Sequence, residues 1–233
     1  MKVIGIIPAR GGSKGVKKKN IRVVAGEPLI AYAIRTAKES TKLDYFVVTT
    51  DDPEIAEVAK QYGAPVIMRP KELAKDNTPM VPVVIHALEE VEKESEGDFD
   101  IVVLLQPTSP IRRGVDVDDV IKLFEDSDVE CVVSVCDVAD MHPARMYRLT
   151  SSGFIVPFWP EFESLRRQDL PKVYYRNGTI YAIRTDVLKE QKTFMCNKKK
   201  AYIMPAKWMV NIDSERDLLI ADVMVKLWKE GKL

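Results

Sequence analysis

The sequence has no net charge, because its 35 lysine and arginine residues balance 35 aspartate and glutamate residues. A protein without excess positive charge has no overall field to attract nucleic acid or a membrane surface. We therefore expect neither partner, and a site for an anionic ligand must come from locally clustered cations. The length of 233 residues predicts a single domain over residues 1–233 with a small appendage.

Long hydrophobic runs, histidines and cysteine pairs are also lacking. No run reaches the roughly 18 residues that a membrane-spanning helix needs, and Arg10 comes too early for a signal peptide. Two histidines cannot build a His-rich metal site, and the absence of C-x-x-C argues against zinc ribbons. Cys131 and Cys136 lie five positions apart in a predicted strand, on opposite faces, so they should not pair. With Cys196, they are most simply placed in a reducing cytoplasm.

Short hydrophobic runs without strict alternation recur along the chain, as in VIGIIP (3–8), YFVVTTD (45–51) and DIVVLLQP (100–107). Such runs are typical of parallel strands that are buried on both faces. Helical patterns lie between them, and one of these, PEIAEVAKQYG, ends at Gly63. The alternation predicts an α/β fold with a doubly wound, mainly parallel central sheet flanked by helices.

Residues 139–176 interrupt this alternation with four prolines, many aromatic residues and several arginines. We interpret the segment as an excursion from the sheet that forms a small β-rich arm. Exposed aromatic residues and arginines are enriched at protein interfaces, so docking on a second subunit is one interpretation. A lid folded over its own domain explains the composition equally well.

The loop PARGGSKGVKKKNI (residues 8–21) follows the first predicted strand directly. It concentrates five cations: Arg10, Lys14, Lys17, Lys18 and Lys19. Ligands of open α/β sheets bind at the carboxyl ends of strands, and glycines let backbone N–H groups approach a phosphate. The spacing fits neither a Walker A loop nor G-x-G-x-x-G, which weakens the case for a dinucleotide. The loop therefore binds a diphosphate or triphosphate, or it is a flexible surface loop with solvated lysines.

A rigid polar turn is predicted in LLQPTSPIRRG (residues 104–114), after another hydrophobic strand. Two prolines stiffen the presentation of three neutral side chains: Gln106, Thr108 and Ser109. Such a turn suits recognition of hydroxyl groups or a base edge, and a purely structural turn is the alternative. The pair Asn177-Gly178 is a weak indication, because Asn-Gly is the commonest hairpin turn.

The segment NIDSERDLLIAD (residues 211–222) places Asp213 just before a predicted helix. Ser214 and Asp217 fit a capping box, so Asp213 could serve only at the helix start. The functional interpretation makes it an oxygen ligand for Mg²⁺, which typically takes one or two carboxylates plus substrate phosphates.

These four clusters, in this order, resemble the cytidylyltransferases that activate nine-carbon ulosonic acids: the CMP-sialic acid synthetases and their relatives for pseudaminic, legionaminic and deaminoneuraminic acids. The matching segments span almost the whole chain: IIPARGGSKGVKKKNI, TTDDPEIAEVAKQYGAPVIMRP, ELAKD, LLQPTSPIR, RQDLP, NGTIYAI and NIDSERDLLIAD. The resemblance implies a nucleotide-diphospho-sugar transferase-like fold. It also implies Mg²⁺ and a homodimer in which each arm reaches the neighbour's sugar site. The implied reaction is attack by the anomeric hydroxyl of a 2-keto sugar acid on the α-phosphate of CTP, with release of pyrophosphate.

The resemblance also assigns roles to individual residues on the nucleotide side. The triphosphate loop corresponds to Arg10, Gly12, Ser13 and Lys19. Asn20 would contact the base and ribose, and Arg69 would be a nucleotide-side arginine. Arg10 and Lys19 would neutralise charge on the departing pyrophosphate, and with Asp213 they form the implied catalytic set.

On the acceptor side, the resemblance assigns a sugar-facing turn to Gln106, Thr108 and Ser109. Asn177 and Tyr181 would line the sugar pocket. Arg167 would pair with the sugar carboxylate, and Arg145 would be donated across the dimer.

Three positions depart from the pattern. Asn211 replaces the first aspartate of a D-I-D motif, so Asp213 must carry more of a metal site shared with Asn211. Tyr175 replaces an arginine, with Arg176 one step later, and Met80 replaces a small polar residue. Two alternative hypotheses therefore stay open. One is a nucleotidyltransferase for another sugar, either an eight-carbon keto acid or a sugar 1-phosphate with a different nucleotide. The other is a catalytically inactive nucleotide-binding module.

Overall fold

The computed structural model of the protein describes residues 1–95, 97–138 and 140–233. Its strands are β1 (Val3–Pro8), β2 (Val23–Val24), β3 (Glu27–Pro28), β4 (Tyr45–Thr50), β5 (Val66–Met68), β6 (Ile101–Leu104), β7 (Cys131–Asp137), β8 (Tyr147–Leu149), β9 (Ile155–Pro157), β10 (Tyr174–Arg184) and β11 (Lys199–Ile203). Its α-helices are α1 (Leu29–Glu39), α2 (Pro53–Gln61), α3 (Met80–Glu94), α4 (Gly114–Lys122), α5 (Thr185–Gln191) and α6 (Glu215–Lys229).

Seven strands form the main sheet, in the order β11-β7-β10-β6-β1-β4-β5. Only β10 runs antiparallel to its neighbours, and the other strand pairs are parallel. The predicted mainly parallel sheet flanked by helices is confirmed. The predicted run VIGIIP coincides with β1 residue for residue.

The central strands are hydrophobic throughout because both faces of the sheet are covered. On β1, Val3 and Ile7 pack into a cluster with α1, α2 and α4. Ile4 and Ile6 point to the other face, into a cluster with α3 and α5. Burying each such side chain contributes roughly 1.5–3 kcal/mol, so a charge in β1 would disrupt one of the two layers.

The helix α2 shows how local signals set its limits. The side chain of Asp52 accepts hydrogen bonds from the backbone N–H groups of Glu54 (2.8 Å) and Ile55 (3.3 Å) at its start. Gly63 follows its end with φ of 72°, a left-handed conformation that favours glycine. The predicted stop at Gly63 is confirmed.

The sheet order brings three loops to one edge. Because β1 lies between β4 and β6, the loops that follow these three parallel strands meet at their carboxyl ends. A third hydrophobic cluster packs α6 against α1 and the β2–β3 hairpin, through residues such as Leu29, Leu218 and Val225. This packing carries the start of α6 to the same edge.

Asn177-Gly178 does not form a hairpin turn. Both residues lie inside β10, where the register with β7 shifts between Arg176 and Tyr181. Gly178 has φ of 75°, so this bulge needs glycine at that position. The bulge opens β10 where it passes the carboxyl edge of β6.

The described part of the 139–176 segment lies mostly outside the main sheet. Strands β8 and β9 pair as an antiparallel hairpin, and β10 begins at Tyr174. Large hydrophobic side chains of this arm are exposed, with Leu149 and Phe154 each more than 70% accessible. Ala139, the first residue of the predicted arm, lies outside the described residues.

The cysteines are arranged differently from the simplest expectation. Cys131 and Cys136 do not pair, as predicted, and Cys136 is a buried free thiol. Cys131 instead forms a disulfide with Cys196, so the loop before β11 is joined to the start of β7. None of the helices in the described part of the chain is long and hydrophobic enough to cross a membrane.

Candidate active site

Two adjoining cavities lie at the carboxyl edge of the sheet. The cationic cavity, of about 320 Å³, is lined by Arg10, Ser13, Lys19, Asn20, Arg69 and Asp213, among others. The aromatic cavity, of about 660 Å³, is lined by Tyr174, Tyr175, Asn177, Gly178, Tyr181 and Asn211, among others. Gln106 lines both. A reacting group in one cavity can therefore meet a reacting group in the other beside this residue.

A third cavity, of about 650 Å³, lies between β5 and α3, and Tyr45, Glu90 and Phe99 are among its lining residues. None of the predicted site residues lines it, and it reaches the opposite edge of the sheet, where β4 begins. The predicted residues that line a cavity therefore all do so at the carboxyl edge.

The loop of residues 8–21 is an ordered wall of the cationic cavity. Asn20 is buried, and its Nδ2 donates to the carbonyl of Arg10 at 3.0 Å, which closes the loop on itself. The backbone N–H of Gly11 donates to Asp51 Oδ1 at 3.0 Å. A Cβ at Gly15 would lie 1.9 Å from the carbonyl oxygen of Asp213, so only glycine permits this approach.

Lys19 joins this loop to the segment before α6. Its Nζ donates to the carbonyl of Ile212 at 2.7 Å and lies 3.1 Å from Asp213 Oδ1. Asn211 Nδ2 donates to Asp213 Oδ2 at 2.5 Å. Lys19 is therefore held in place by contacts nearly two hundred residues away in sequence.

The capping role belongs to Ser214, not to Asp213. Ser214 Oγ accepts from the N–H of Asp217 at 3.3 Å, and Asp217 Oδ2 accepts from the N–H of Ser214 at 2.9 Å. This capping box starts α6 without the Asp213 side chain, which is mostly exposed and lines the cationic cavity. The carboxylate of Asp213 is thus available for a ligand.

Arg69 is the most deeply buried cation of the cationic cavity. Its Nη2 lies 3.7 Å from Asp51 Oδ1, and its Nε has no hydrogen-bond partner among the described residues. Burial lowers the pKa of Arg69, and Asp51 opposes that shift. Asp51 thus holds both Arg69 and the backbone of Gly11, and a buried N–H donor is left over.

The remaining cations of the loop have different partners. Arg10 Nη1 lies 3.1 Å from Asp76 Oδ1, and Lys14 Nζ lies 2.8 Å from Asp76 Oδ2. Lys18 pairs with Glu54 on α2 instead. Lys17 and Lys18 do not line the cavity, whereas Arg10 and Lys19 do.

The turn that contains Gln106, Thr108 and Ser109 separates the two cavities. The N–H of Ile212 donates to the carbonyl of Thr108 at 3.0 Å, so the turn and the Asp213 segment form one unit. The hydroxyl groups of Thr108 and Ser109 are buried, with no partner in the part of the chain described. Unpartnered buried hydroxyls beside a cavity suit a polar ligand.

The aromatic cavity is built around the β10 bulge. Asn177 Oδ1 accepts from Ser134 Oγ at 2.6 Å and from the N–H of Thr179 at 3.2 Å, which fixes the bulge. A Cβ at Gly178 would lie 3.9 Å from both Ser109 Oγ and Tyr181 Oη. Burial raises the pKa of Tyr181, and Arg176 opposes that shift, so Tyr181 stays a neutral hydrogen-bonding group.

Four predicted residues do not line either cavity: Gly12 and Ser109, which lie in the loop and the turn beside the cavities, and Arg145 and Arg167 in the arm. Arg145 donates to the carbonyls of Glu163 (3.1 Å) and Leu165 (2.8 Å) within the arm. Arg167 pairs with Asp140 at 2.9 Å on the surface. Neither lines the cavities of its own chain, so their predicted roles depend on a second subunit.

A model of the family described as cytidylyltransferase matches residues 4–219. This match takes in all of β1 except Val3, both cavities and the start of α6. The chain belongs to the cytidylyltransferase family.

Relatives of the chain in this family are named for CMP-activated sugar acids. The N-acylneuraminate cytidylyltransferase of Streptococcus agalactiae serotype III is 33% identical over 222 residues, which cover 94% of this chain and 52% of that protein. The CMP-N,N'-diacetyllegionaminic acid synthase of Legionella pneumophila is 33% identical, over 99% of both chains. The pseudaminic acid cytidylyltransferase of Campylobacter jejuni (strain 81-176) is 29% identical, also over 99% of both. The chain thus spans about half the length of its N-acylneuraminate relatives.

Solved structures of cytidylyltransferases share the fold. The CMP:2-keto-3-deoxy-manno-octonic acid synthetase complexed with CTP superposes with a TM-score of 0.73 at 19% identity, covering 99% of this chain and 100% of that one. A cytidylyltransferase from Leptospira borgpetersenii superposes with a TM-score of 0.61 at 15% identity, covering 99% and 95%. At these identities the likeness shows the fold alone.

Most residues predicted from the cytidylyltransferase resemblance meet at the two cavities, but the prediction missed several contacts. Asp76 positions Arg10, and Asp51 positions Arg69. Arg112 lies under the turn that contains Gln106. Asp51 directly follows β4. A prediction that placed β4 beside β1 would therefore have placed Asp51 near the loop of residues 8–21. Asp76 and Arg112 end the matched segments ELAKD and LLQPTSPIR, but the resemblance assigned neither of them a role.

A metal ion would find few protein ligands at this site. Asp213 and Asn211 supply oxygen donors where the cavities meet, and Mg²⁺ typically adds substrate phosphates to one or two carboxylates. Among the described residues, no group of three or more His, Cys, Asp or Glu side chains could hold a metal. The donor set fits Mg²⁺ only when a phosphate-bearing substrate completes it.

Proposed function

We propose that this cytidylyltransferase transfers CMP from CTP to the anomeric hydroxyl of a nine-carbon ulosonic acid and releases pyrophosphate. The observation that carries the proposal is the junction of the two cavities at Gln106. One cavity presents Arg10, Lys19 and Arg69, which suit a triphosphate. The other is lined mostly by neutral polar, aromatic and hydrophobic groups, with Arg176 and Asp137 as charged members, and such a lining suits a sugar.

In the proposed reaction, the acceptor hydroxyl oxygen forms a bond to the α-phosphorus, and the bond to the bridging oxygen of pyrophosphate breaks. The hydroxyl proton is released, and negative charge grows on the departing pyrophosphate. Arg10 and Lys19 face this charge, and Asn20, Gly12 and Ser13 position the nucleotide beside them. Charge stabilisation by preorganised groups is usually the largest single contribution to such a transfer.

For the acceptor, the full-length relatives named for legionaminic and pseudaminic acids support a nine-carbon ulosonic acid. Gln106, Asn177 and Tyr181 supply hydrogen bonds, and Tyr175 and Met209 supply hydrophobic contact. Pyrophosphate release measured with acids that carry different acyl groups decides which of these groups the acceptor bears.

We infer that Mg²⁺ is the cofactor, held by Asp213 and Asn211 together with the phosphates of CTP. When bound, the ion would neutralise phosphate charge as a Lewis acid. Asp213 also holds Lys19, so the carboxylate orients a cation as well as a metal.

We further propose a homodimer formed through the arm, and a cytoplasmic location. The availability of CTP supports that location, whereas the Cys131–Cys196 disulfide is more typical of an oxidising compartment. The exposed side chains of Leu149, Phe154, Ile155 and Phe158 would be covered by a partner. Light scattering should give twice the 26.4 kDa chain mass, and Leu149→Ser with Phe154→Ser should shift it toward the monomer. If the protein without these substitutions has the mass of a monomer, the proposed dimer is wrong.

The proposed reaction is tested by pyrophosphate release with Mg²⁺ and each of four nucleoside triphosphates. The acceptor panel contains sialic, legionaminic, pseudaminic, deaminoneuraminic and eight-carbon keto acids, and a sugar 1-phosphate. We expect release only with CTP and a nine-carbon acid. CTP binding without release for the whole panel would favour the inactive module, and release with a sugar 1-phosphate would favour the alternative transferase.

A further inference from the structure

Arg112 is a buried cation that the proposed reaction does not use. It is only 1% exposed, and its Nη1 donates to the backbone carbonyls of Gln106 (2.8 Å), Ser109 (3.1 Å) and Thr179 (3.0 Å). Its Nε and Nη2 have no hydrogen-bond partner in the described part of the chain. Asp116, the carboxylate whose charge acts on Arg112, forms its ion pair with Arg113 instead, at 2.9 Å.

Stability alone does not account for such a residue. Removing a guanidinium from water is costly, and a buried charge without a close carboxylate recovers little of that loss. Burial lowers the pKa of Arg112 to about 9, and Asp116 opposes the shift, so the group remains charged at neutral pH. A hydrophobic residue of similar size would fill the volume without this penalty.

The three carbonyls that Arg112 binds belong to two walls of the aromatic cavity. Gln106 and Ser109 belong to the turn between the cavities, and Thr179 belongs to the β10 bulge directly after Asn177 and Gly178. One side chain therefore sets the separation between the turn and the bulge. Ser109 Oγ and Tyr181 Oη lie beside this gap, and a Cβ at Gly178 would be 3.9 Å from each of them.

We propose that Arg112 is a positioning residue that holds the turn and the β10 bulge at the spacing required to bind the sugar acid. The proposal rests on the proposed function. It predicts that replacing Arg112 raises the KM for the acceptor more than the KM for CTP. The cationic cavity is also built from Arg10, Lys19 and Arg69, and Arg112 has no hydrogen bond to these residues.

The test compares steady-state kinetics of Arg112→Met and Arg112→Lys with those of the unchanged enzyme. Losing hydrogen bonds from a charged donor should raise the acceptor KM of Arg112→Met about 10- to 100-fold, with the CTP KM changed less than about threefold. Arg112→Lys keeps a charged group with three donors, and we expect it to restore part of the acceptor affinity.

Arg184→Met is the matched control. Arg184 lies on β10, the strand that contains Thr179, and like Arg112 it donates to backbone carbonyls, those of Val129 (2.8 Å) and Phe124 (3.2 Å). It pairs with Ile101 at the start of β6, the opposite edge of the sheet. We expect Arg184→Met to lower the melting temperature and leave the acceptor KM unchanged.

An acceptor KM that stays unchanged in Arg112→Met, or rises equally in Arg184→Met, would overturn the role of Arg112. If Arg112→Met does not fold, Arg112→Lys decides alone, since its shorter side chain should still raise the acceptor KM about threefold or more. If the enzyme without substitutions turns over none of the acids, both the proposed function and this inference are wrong. If it is active and only the prediction for the Arg112 variants fails, the inference alone is wrong.

Discussion

The cationic and aromatic cavities lie side by side yet are built in different ways. In the cationic cavity, Arg10, Lys19 and Arg69 face carboxylates of the same chain, Asp76, Asp213 and Asp51. In the aromatic cavity, Arg176 is the only cationic side chain among the described lining residues, beside tyrosines and methionines.

The difference shows how the site can separate two anionic substrates. A triphosphate carries several charges and can replace carboxylates as the partner of cations that already stand in place. A sugar acid carries one charge on a large neutral body, so its affinity depends on shape, hydroxyl groups and hydrophobic contact. Substitutions in the two cavities should therefore affect different kinetic constants.

The largest effect is expected from Lys19→Ala. A cation that faces the leaving pyrophosphate acts mainly in the transition state, so kcat should fall about 10²- to 10³-fold. Pyrophosphate release at saturating CTP and acceptor measures it. Lys17→Ala, an exposed residue of the same loop, is the control and should stay within about twofold. Normal turnover of Lys19→Ala would remove Lys19 from the mechanism.

Asp213→Asn should lower kcat about 10- to 100-fold and shift the Mg²⁺ concentration needed for half-maximal rate upward. Its melting temperature should stay unchanged, because Ser214 and Asp217 cap α6. Ser214→Ala, in contrast, should lower the free energy of unfolding by about 1 kcal/mol with little effect on rate. The reverse pattern in the two variants would make Asp213 a structural residue.

A smaller effect, confined to the acceptor, is expected from Asn177→Asp. The carboxylate can still accept from Ser134 and Thr179, so the bulge keeps its shape. The new negative charge repels the sugar carboxylate, and the acceptor KM should rise about tenfold with the CTP KM unchanged. Initial rates with each substrate varied in turn give both constants. Equal changes in the two constants would contradict the separation of the cavities.

The smallest effect on activity is expected from Asp118→Asn, far from both cavities. Burial alone would raise the pKa of Asp118, but hydrogen bonds from Ser40, Thr41 and Lys42 outweigh it and lower the pKa. The carboxylate therefore contributes stability above its ordinary pKa of 3.8, which is lost as pH falls through the lower folded value.

At pH 7, Asp118→Asn should reduce the free energy of unfolding by about 1–3 kcal/mol and leave kcat unchanged. Urea unfolding at pH 7 and near pH 3 measures this difference. The difference in free energy of unfolding between Asp118→Asn and the protein without substitutions should be smaller at the lower pH. A larger difference there would contradict the direction of the pKa shift.

Local patterns predicted much of this molecule from the sequence. The limits of β1, the stop of α2 at Gly63 and the capping box at Ser214 depend on residues within one turn or strand, so the sequence displays them. The bulge at Asn177 and the hairpin of β8 and β9 were less visible. An Asn-Gly pair and a proline-rich segment each fit several structures, and their partners in space decide among them.

The sequence by itself determined the α/β fold, the limits of β1 and the capped start of α6, because hydrophobic periodicity and caps act over short distances. The tertiary structure alone decided that Lys19 meets Asp213, that Arg69 shares Asp51 with Gly11, and that Arg112 ties the turn to the bulge. Those contacts join residues tens to nearly two hundred positions apart. Their distances follow from the order of strands in the sheet, which no local pattern specifies.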